Sequence, residues 1–314
     1  MKHKISIAMA VFEGERFVCQ QLDSIFSQSL VPNEIIICDD SRNDKTYKAI
    51  KNIIEQHPEI IKYFKNETQL GVSKNFEKAV SLSSGDIIFL SDQDDVWMRD
   101  KIAELISSIN ASLDCGGAFC NSELVDKDLN GLGLTHFDLR AFRGDPSIDF
   151  FLKRVPAAGH NMAFKAELKD LLLPFPDLNE CHDTWIGLVI AATSGWTFTD
   201  ETLTQFRQHD DNLSRSGRDS QLKAAMESIK NDASAWNAAL YDELIQRITG
   251  NVEPEVLELL KDRRNHSAVR AKMNCNIFKR LPLVYGEIKN KRYFKYGRGW
   301  KNVIQDIFFR IIVK

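Results

Sequence analysis

At 314 residues and 43% hydrophobic side chains, the chain is long and apolar enough for one large domain with a tail or for two domains, and it excludes disordered and collagen-like classes. The net charge of −3 hides an uneven distribution: residues 261–314 carry a net +12 and residues 1–260 a net −15. An acidic body is a poor surface for nucleic acid, and the basic end implies a separate partner.

No apolar stretch is long enough to cross a bilayer. The first run, KISIAMAV at 4–11, suits a buried strand. A signal peptide is the rival reading, but Glu13 and Glu15 interrupt the run and no small-residue cleavage site follows. Residues 14–28 have helical spacing, with Phe17, Leu22, Ile25 and Phe26 on one side. After Pro32, EIIICDDS (34–41) predicts a second parallel strand that ends in two aspartates. A helix from Asp44 to His57, a short strand at 61–66 and a helix from Ser73 to Leu82 follow. GDIIFLSDQDD (85–95) predicts a fourth strand ending in carboxylates, and a helix resumes near Asp100.

The remainder is less regular. GGAFCNSELVD (116–126) and AAGHNMAF (157–164) predict strands on either side of a loop-rich stretch at 127–149. Helical character returns at 165–173, and LNECHDTWIGLVIAAT (178–193) predicts a polar loop entering an apolar helix. WTFTDETLTQFRQH (196–209) holds one or two strands, 210–220 is a turn-rich linker, and the pattern from 221 onward is helical. Domains of 1–213 and 214–314 follow. The repeated strand–helix order predicts an α/β domain with a mostly parallel sheet, in which ligands bind beyond the C-terminal strand ends. Both acidic clusters lie at such ends, so they should converge on one site. The six cysteines form no CxxC pair, which leaves free thiols in a reducing compartment as the plain reading.

Asp92 and Asp94 are two apart on an extended segment and so share a face. Oxygen ligands of this kind suit Mg²⁺ or Mn²⁺ carrying a diphosphate; a solvated acidic loop is the alternative. Asp39 and Asp40 can accept from a uracil or thymine ring N–H or from ribose hydroxyls, or can cap the next helix. Asp183, in HDTW, can be a helix N-cap or a general base, with His182 and Glu180 as competing bases. His209 can complete a metal site, touch a diphosphate, or sit exposed in a loop.

The stretches ISIAMAVFEGERFVCQQLDSIFSQSLVPNEIIICDDSRNDKT (5–46) and NETQLGVSKNFEKAVSLSSGDIIFLSDQDDVW (66–97), with the later HDTW and RQH, resemble glycosyltransferase family 2, the inverting group with the GT-A fold. SDQDDVW with GHNMAF, HDTW and RQH looks most like its bacterial rhamnosyltransferase-like branch. The resemblance covers roughly 1–213 and implies a dTDP- or UDP-linked sugar as donor. Ala10 to Glu13, including Val11 and Glu13, match the nucleotide-contacting turn. Asp39, with Asp40 beside it, matches the residue that reads the base. Asp92 and Asp94 match the metal and diphosphate motif, Asp95 lies near the donor sugar, and Asp183 matches the catalytic base. Arg207 and His209 match a segment that closes over the diphosphate and helps hold the metal. Departures are Val11-Phe12-Glu13 where a Tyr-Asn pair is common, Ser41-Arg42 where Gly-Ser is common, and His182-Asp183 where Glu-Asp is usual.

The implied activity is transfer to a hydroxyl of a saccharide or lipid-linked saccharide, as in surface polysaccharide or lipopolysaccharide synthesis, by a cytoplasmic or peripheral membrane enzyme. A nucleotidyltransferase and a non-catalytic nucleotide-sugar-binding module are the rivals. The end of the chain, 289–314, interleaves Lys and Arg with aromatics, which suits an anionic membrane surface; a terminal helix packed through Ile304, Ile307, Phe308 and Ile311 is the alternative.

Overall fold

The computed structural model describes residues 3–112, 114–178, 182–209 and 233–308. Two compact units divide the chain: residues 1–147 with 155–209, and residues 148–154 with 210–314. The expected boundary at residue 213 and the linker at 210–220 lie outside the described residues.

In the first unit, β1 (Ile5–Val11), β2 (Glu34–Asp39), β3 (Ile61–Lys65) and β4 (Ile87–Ser91) alternate with α1 (Val18–Phe26), α2 (Lys45–Gln56) and α3 (Val72–Leu82). These strands are parallel in the order β3-β2-β1-β4. Every residue of β2 and β4 is buried, which is why both read as unbroken apolar runs: helices cover both faces of such a sheet. After β4 come β5 (Val96–Trp97), α4 (Lys101–Ala111), β6 (Gly117–Val125), β7 (Gly131–Thr135) and α5 (His136–Arg140). The short α6 (Ile148–Phe151) belongs to the second unit. β8 (Met162–Lys165), α7 (Lys169–Leu172), α8 (His182–Thr193) and β9 (Trp196–Arg207) complete the first.

The sheet continues β4-β8-β6-β9-β5, with β7 on β6. Only β6 and β9 are parallel here; the other pairings are antiparallel, so the sheet is parallel on one side of β4 and mixed on the other. β7 and α5 occupy the stretch expected to be loop. α8 is buried on nearly all sides, as an apolar helix without a polar face must be.

Glu34 ties three segments of the parallel half together. Its carboxylate accepts from Ser6 Oγ (2.6 Å), Lys62 Nζ (2.6 Å) and the Ser84 N–H (2.6 Å). Burial alone would raise its pKa, but the bonds from Lys62, Ser6 and Ser84 outweigh burial and hold it at about 2. A folded-state pKa below the unfolded value stabilises the protein above the unfolded pKa of about 4.3, and that stability is lost as pH falls toward the folded value. Glu34→Gln should therefore cost about 2 kcal/mol near neutral pH, after discounting for the half-exposed Lys62. Urea melts of both proteins should show that gap closing below about pH 4.

The second unit is helical: α6, α9 (Ala233–Ile248), α10 (Pro254–Ala271), α11 (Ile277–Lys289), α12 (Arg292–Tyr296) and α13 (Trp300–Phe308). Met273, Val284, Tyr293 and Val303 form a small apolar core. Around it, acidic groups are drawn inward. Glu287 Oε2 lies 2.5 Å from His266 Nδ1 and accepts at Oε1 from Arg292 at 3.0 Å, while Asp306 accepts two bonds from Arg270 at 2.7 and 2.9 Å. Residues 221–232 and 309–314, for which helical character was expected, lie outside the described residues.

Candidate active site

β1 places the site. Its C-terminal end runs between β2, where Val11 is level with Asp39, and β4, where Met9 is level with Ser91. The two acidic clusters therefore leave the sheet on either side of one strand. The turn after β1 is pinned from both sides. Gln93 accepts from the Phe12 N–H at 2.8 Å and donates to the Phe12 carbonyl at 2.9 Å, and the Glu13 N–H donates to Ser41 Oγ at 2.7 Å. A Cβ on Gly14 would lie 2.3 Å from Gln93 Oε1, so only glycine lets that amide approach. Glu13 is exposed and holds a left-handed φ of 48°. Val11 is buried, with its carbonyl taken by the Asp40 N–H at 2.8 Å, and the Phe12 ring is 39% exposed beside it.

Asp39 is fully buried at the end of β2. Its Oδ1 accepts from the Ser41 N–H at 2.8 Å, and its Oδ2 accepts from Tyr63 Oη at 2.5 Å and Lys65 Nζ at 3.3 Å. Burial and this carboxylate together push the Tyr63 phenol well above its ordinary range. Asp40 accepts from Asn66 Nδ2, the Leu70 N–H and the Gly71 N–H, each at 2.8 Å. Its oxygens hold the loop from β3 to α3.

The acidic turn sends its side chains to different partners. Asp94 Oδ2 lies 2.9 Å from His209 Nε2. An oxygen of Asp92, one of Asp95 and a ring nitrogen of His160 all lie within 4.8 Å of one another. Burial, then the carboxylates of Asp94 and Asp183, push the Asp92 pKa up to about 7. Asp95 is fully buried; its Oδ1 accepts from the Arg207 N–H at 3.0 Å and its Oδ2 has no partner. This is the carboxylate expected near the donor sugar. His160 stacks on Phe206 at 4.0 Å, and its Nε2 is likewise unpartnered. Under the turn sits a buried ammonium. Lys101 Nζ donates to the His160 carbonyl at 2.7 Å and lies 3.8 Å from the Trp97 ring centroid. Burial draws its pKa down to about 8, against the pull of Asp95 and Asp92.

Asp183 stands in the first turn of α8, where its Oδ1 accepts from the Thr184 N–H at 2.6 Å. It is half-buried, and its charge acts on Asp92. His182 is buried, stacks on Phe76 at 4.3 Å, and has its pKa lowered by burial. Glu180 lies outside the described residues. A Cβ on Gly159 would fall 3.1 Å from His182 Nε2 and 3.7 Å from Asp92 Oδ2, so this glycine lets the start of α8 close on the acidic turn.

Arg207 was expected over a diphosphate. Its guanidinium is hydrogen-bonded within the protein: Nε donates to the Asp94 carbonyl at 2.6 Å, Nη2 to Gln20 Oε1 at 2.6 Å, and Nη1 to the Lys127 carbonyl. It also packs over Phe17, 4.4 Å from the ring centroid. Arg207 clamps α1, the acidic turn and the start of the 127 loop to the end of β9.

Tyr63, Lys65, Lys101, His160 and Gly159 were not singled out from the sequence. Tyr63 and Lys65 had a signal: polar residues two apart at the end of a strand, of which Lys65 is level with Asp39. Lys101 and His160 had none, because lysine and histidine ordinarily read as surface residues.

The model of the family described as "Glycosyl transferase family 2" matches residues 6–168. The dTDP-rhamnosyl transferase RfbG of Shigella flexneri is 28% identical over 218 residues, covering 65% of this chain and 72% of that protein. Among solved structures, S. aureus TarS 1–349 in complex with UDP-GlcNAc superposes with a TM-score of 0.58 at 15% identity, over 83% of this chain and 72% of that one. Mannosyltransferase PcManGT from Pyrobaculum calidifontis, in complex with GDP-Man and Mn²⁺, gives 0.51 at 16% identity, over 99% and 87%. The fold is the GT-A fold.

Proposed function

Because the chain belongs to glycosyltransferase family 2, we propose that it transfers a sugar, with inversion, from a nucleoside diphosphate sugar to a hydroxyl of a saccharide or lipid-linked saccharide during polysaccharide synthesis on the inner face of the plasma membrane. The carrying observation is the convergence of Asp92, Asp94 and His209 with Asp183 at one end of the sheet. Similarity to RfbG favours a dTDP-linked deoxyhexose such as rhamnose as donor.

Asp94 and His209 are the pair that fits a divalent ion at the pocket, with Asp92 beside them. Crowded carboxylates are what a cation relieves. The imidazole in the set favours Mn²⁺ over Mg²⁺, which prefers oxygen ligands. The Asp92–Asp95–His160 cluster fits less well, because the Lys101 ammonium already supplies its positive charge. When bound, the ion neutralises charge on the departing diphosphate.

Asp183 takes the proton of the acceptor hydroxyl, since it is half-buried at a helix start; His182 is buried against Phe76 and serves as its packing support. The acceptor oxygen then attacks the anomeric carbon from the face opposite the nucleotide, and one displacement inverts that centre. Asp39 meets the ring N–H of the base once Tyr63 and Lys65 give way, and Phe12 offers a ring face to it. Val11 and Glu13 shape the turn against the nucleotide. Asp40 and Arg207 act through other residues, as anchors of the 66–71 loop and of Asp94.

The test is a thermal-shift series with UDP, dTDP, GDP and their sugars, with Mn²⁺, Mg²⁺ or chelator. A ligand at a hundred times its Kd stabilises the fold by about 2.7 kcal/mol. A shift with one base that requires metal, followed by release of the nucleoside diphosphate on adding acceptor, is expected. No shift with any nucleotide would overturn the proposal.

A further inference from the structure

The four largest exposures among the described large hydrophobic side chains all fall in the second unit: Phe278 at 83%, Tyr285 at 67%, Trp300 at 61% and Phe308 at 60%. They lie on two helices that pack on each other through Leu283, Val284, Val303 and Ile307. On α11, Phe278, Leu281 and Tyr285 are spaced three and four residues apart and share one exposed stripe. On α13, Trp300, Ile304 and Phe308 recur every four residues and form another. Phe294 of α12 meets Trp300 edge-on, with centroids 5.5 Å apart. Each helix thus buries one apolar face and leaves a second, aromatic one in water.

The charge around these stripes is of one sign. Residues 272–308 contain nine Lys or Arg and two acids, Glu287 and Asp306. Both acids are buried and paired, Glu287 with His266 and Arg292, and Asp306 with Arg270 and Tyr293. What remains exposed is Lys272, Lys279, Lys289, Lys291, Lys295, Arg298 and Lys301, with no exposed carboxylate in the segment. The internal ion pairs have removed the groups that would repel an anionic surface.

We propose that α11, α12 and α13 form an interfacial docking surface for an anionic lipid bilayer. The aromatics seat at the headgroup level while the lysines meet anionic headgroups. No described helix is long and apolar enough to cross a membrane. This surface deepens the proposed membrane location of the enzyme but stands on residues outside its active site.

The experiment is co-sedimentation of the full chain with phosphatidylcholine vesicles, with and without about one third phosphatidylglycerol, at low and high salt. It needs no donor sugar, so its outcome is separate from that of the transferase reading. Binding to the anionic vesicles is expected, with loss at high salt. Lys291→Glu with Lys295→Glu should weaken it by on the order of tenfold or more. Phe278→Ser with Trp300→Ser should weaken it comparably; both sites are exposed, so folding, checked by circular dichroism, should be unchanged. Three results would overturn the proposal: no preference for anionic vesicles, binding unchanged in both double variants, or concentration-dependent self-association that the aromatic variants abolish. Equal binding to single-stranded RNA that survives the aromatic changes would do so as well.

Discussion

Asp183→Asn is expected to lower kcat by on the order of 10²–10⁴-fold, the contribution of a general base, while leaving donor affinity unchanged. The substitution is close to isosteric, and an asparagine oxygen can still accept from the Thr184 N–H, as Asp183 Oδ1 does at 2.6 Å. The start of α8 should therefore keep its geometry, and the loss should lie in proton removal. Release of nucleoside diphosphate with saturating donor measures kcat, and thermal shift with the donor measures binding. A fall of less than tenfold would move the base role elsewhere, with His182 next in line.

The second large effect concerns the ion. Asp94→Asn and His209→Ala should each lower kcat/KM on the order of 10³-fold, since charge neutralisation at a departing phosphate is worth several kcal/mol and each 1.36 kcal/mol is tenfold. The two changes should be far from additive, because Asp94 Oδ2 and His209 Nε2 lie 2.9 Å apart and serve one ion. Affinity should also depend on pH. With its pKa raised to about 7, Asp92 holds a proton below that value, and the ion must displace it. Mn²⁺ affinity should thus fall as pH drops below about 7 and level off above it. A Mn²⁺ titration followed by electron paramagnetic resonance at several pH values reads this directly. Affinity that is flat across that range, or unchanged in Asp94→Asn, would remove these residues from the ion site.

Where the chain is buried on both sides, its sequence is easiest to read. EIIICD and IIFLS are apolar throughout because helices cover both faces of the parallel half, and carboxylates at their ends stand out against that background. β7 is different. GLGLT is exposed almost throughout, and its leucines alternate only with glycines, a pattern that reads as turn rather than strand. The helix after it did carry a mark, the capping box of Thr135 and Asp138. Within the candidate site, residue types marked the strand ends, but burial set which side chains each one meets. Asp95 and Arg207 belong to the same motifs as Asp94 and His209, yet the Asp95 carboxylate is fully buried and the Arg207 guanidinium donates to carbonyls and Gln20. No local pattern encodes that distinction, because it depends on segments more than a hundred residues apart.

Those separations matter for the order in which the site comes into being. The acidic turn at 92–95 follows β4 early in the chain, but partners arrive late: among the described residues β5 pairs only with β9, Asp95 waits for the Arg207 N–H, and Asp94 for His209. A nascent chain that has emerged only as far as residue 195 has strands β1 to β4 and the carboxylates, with Gln93 tied to Phe12, but lacks β9 and His209 to brace Asp94 and Asp95. Long-range pairings of this kind form slowly, after local ones. Synthesis therefore has to pass the end of β9 before a competent pocket exists, so a ribosome-stalled fragment would be able to fold its first four strands while remaining unable to grip a nucleotide sugar.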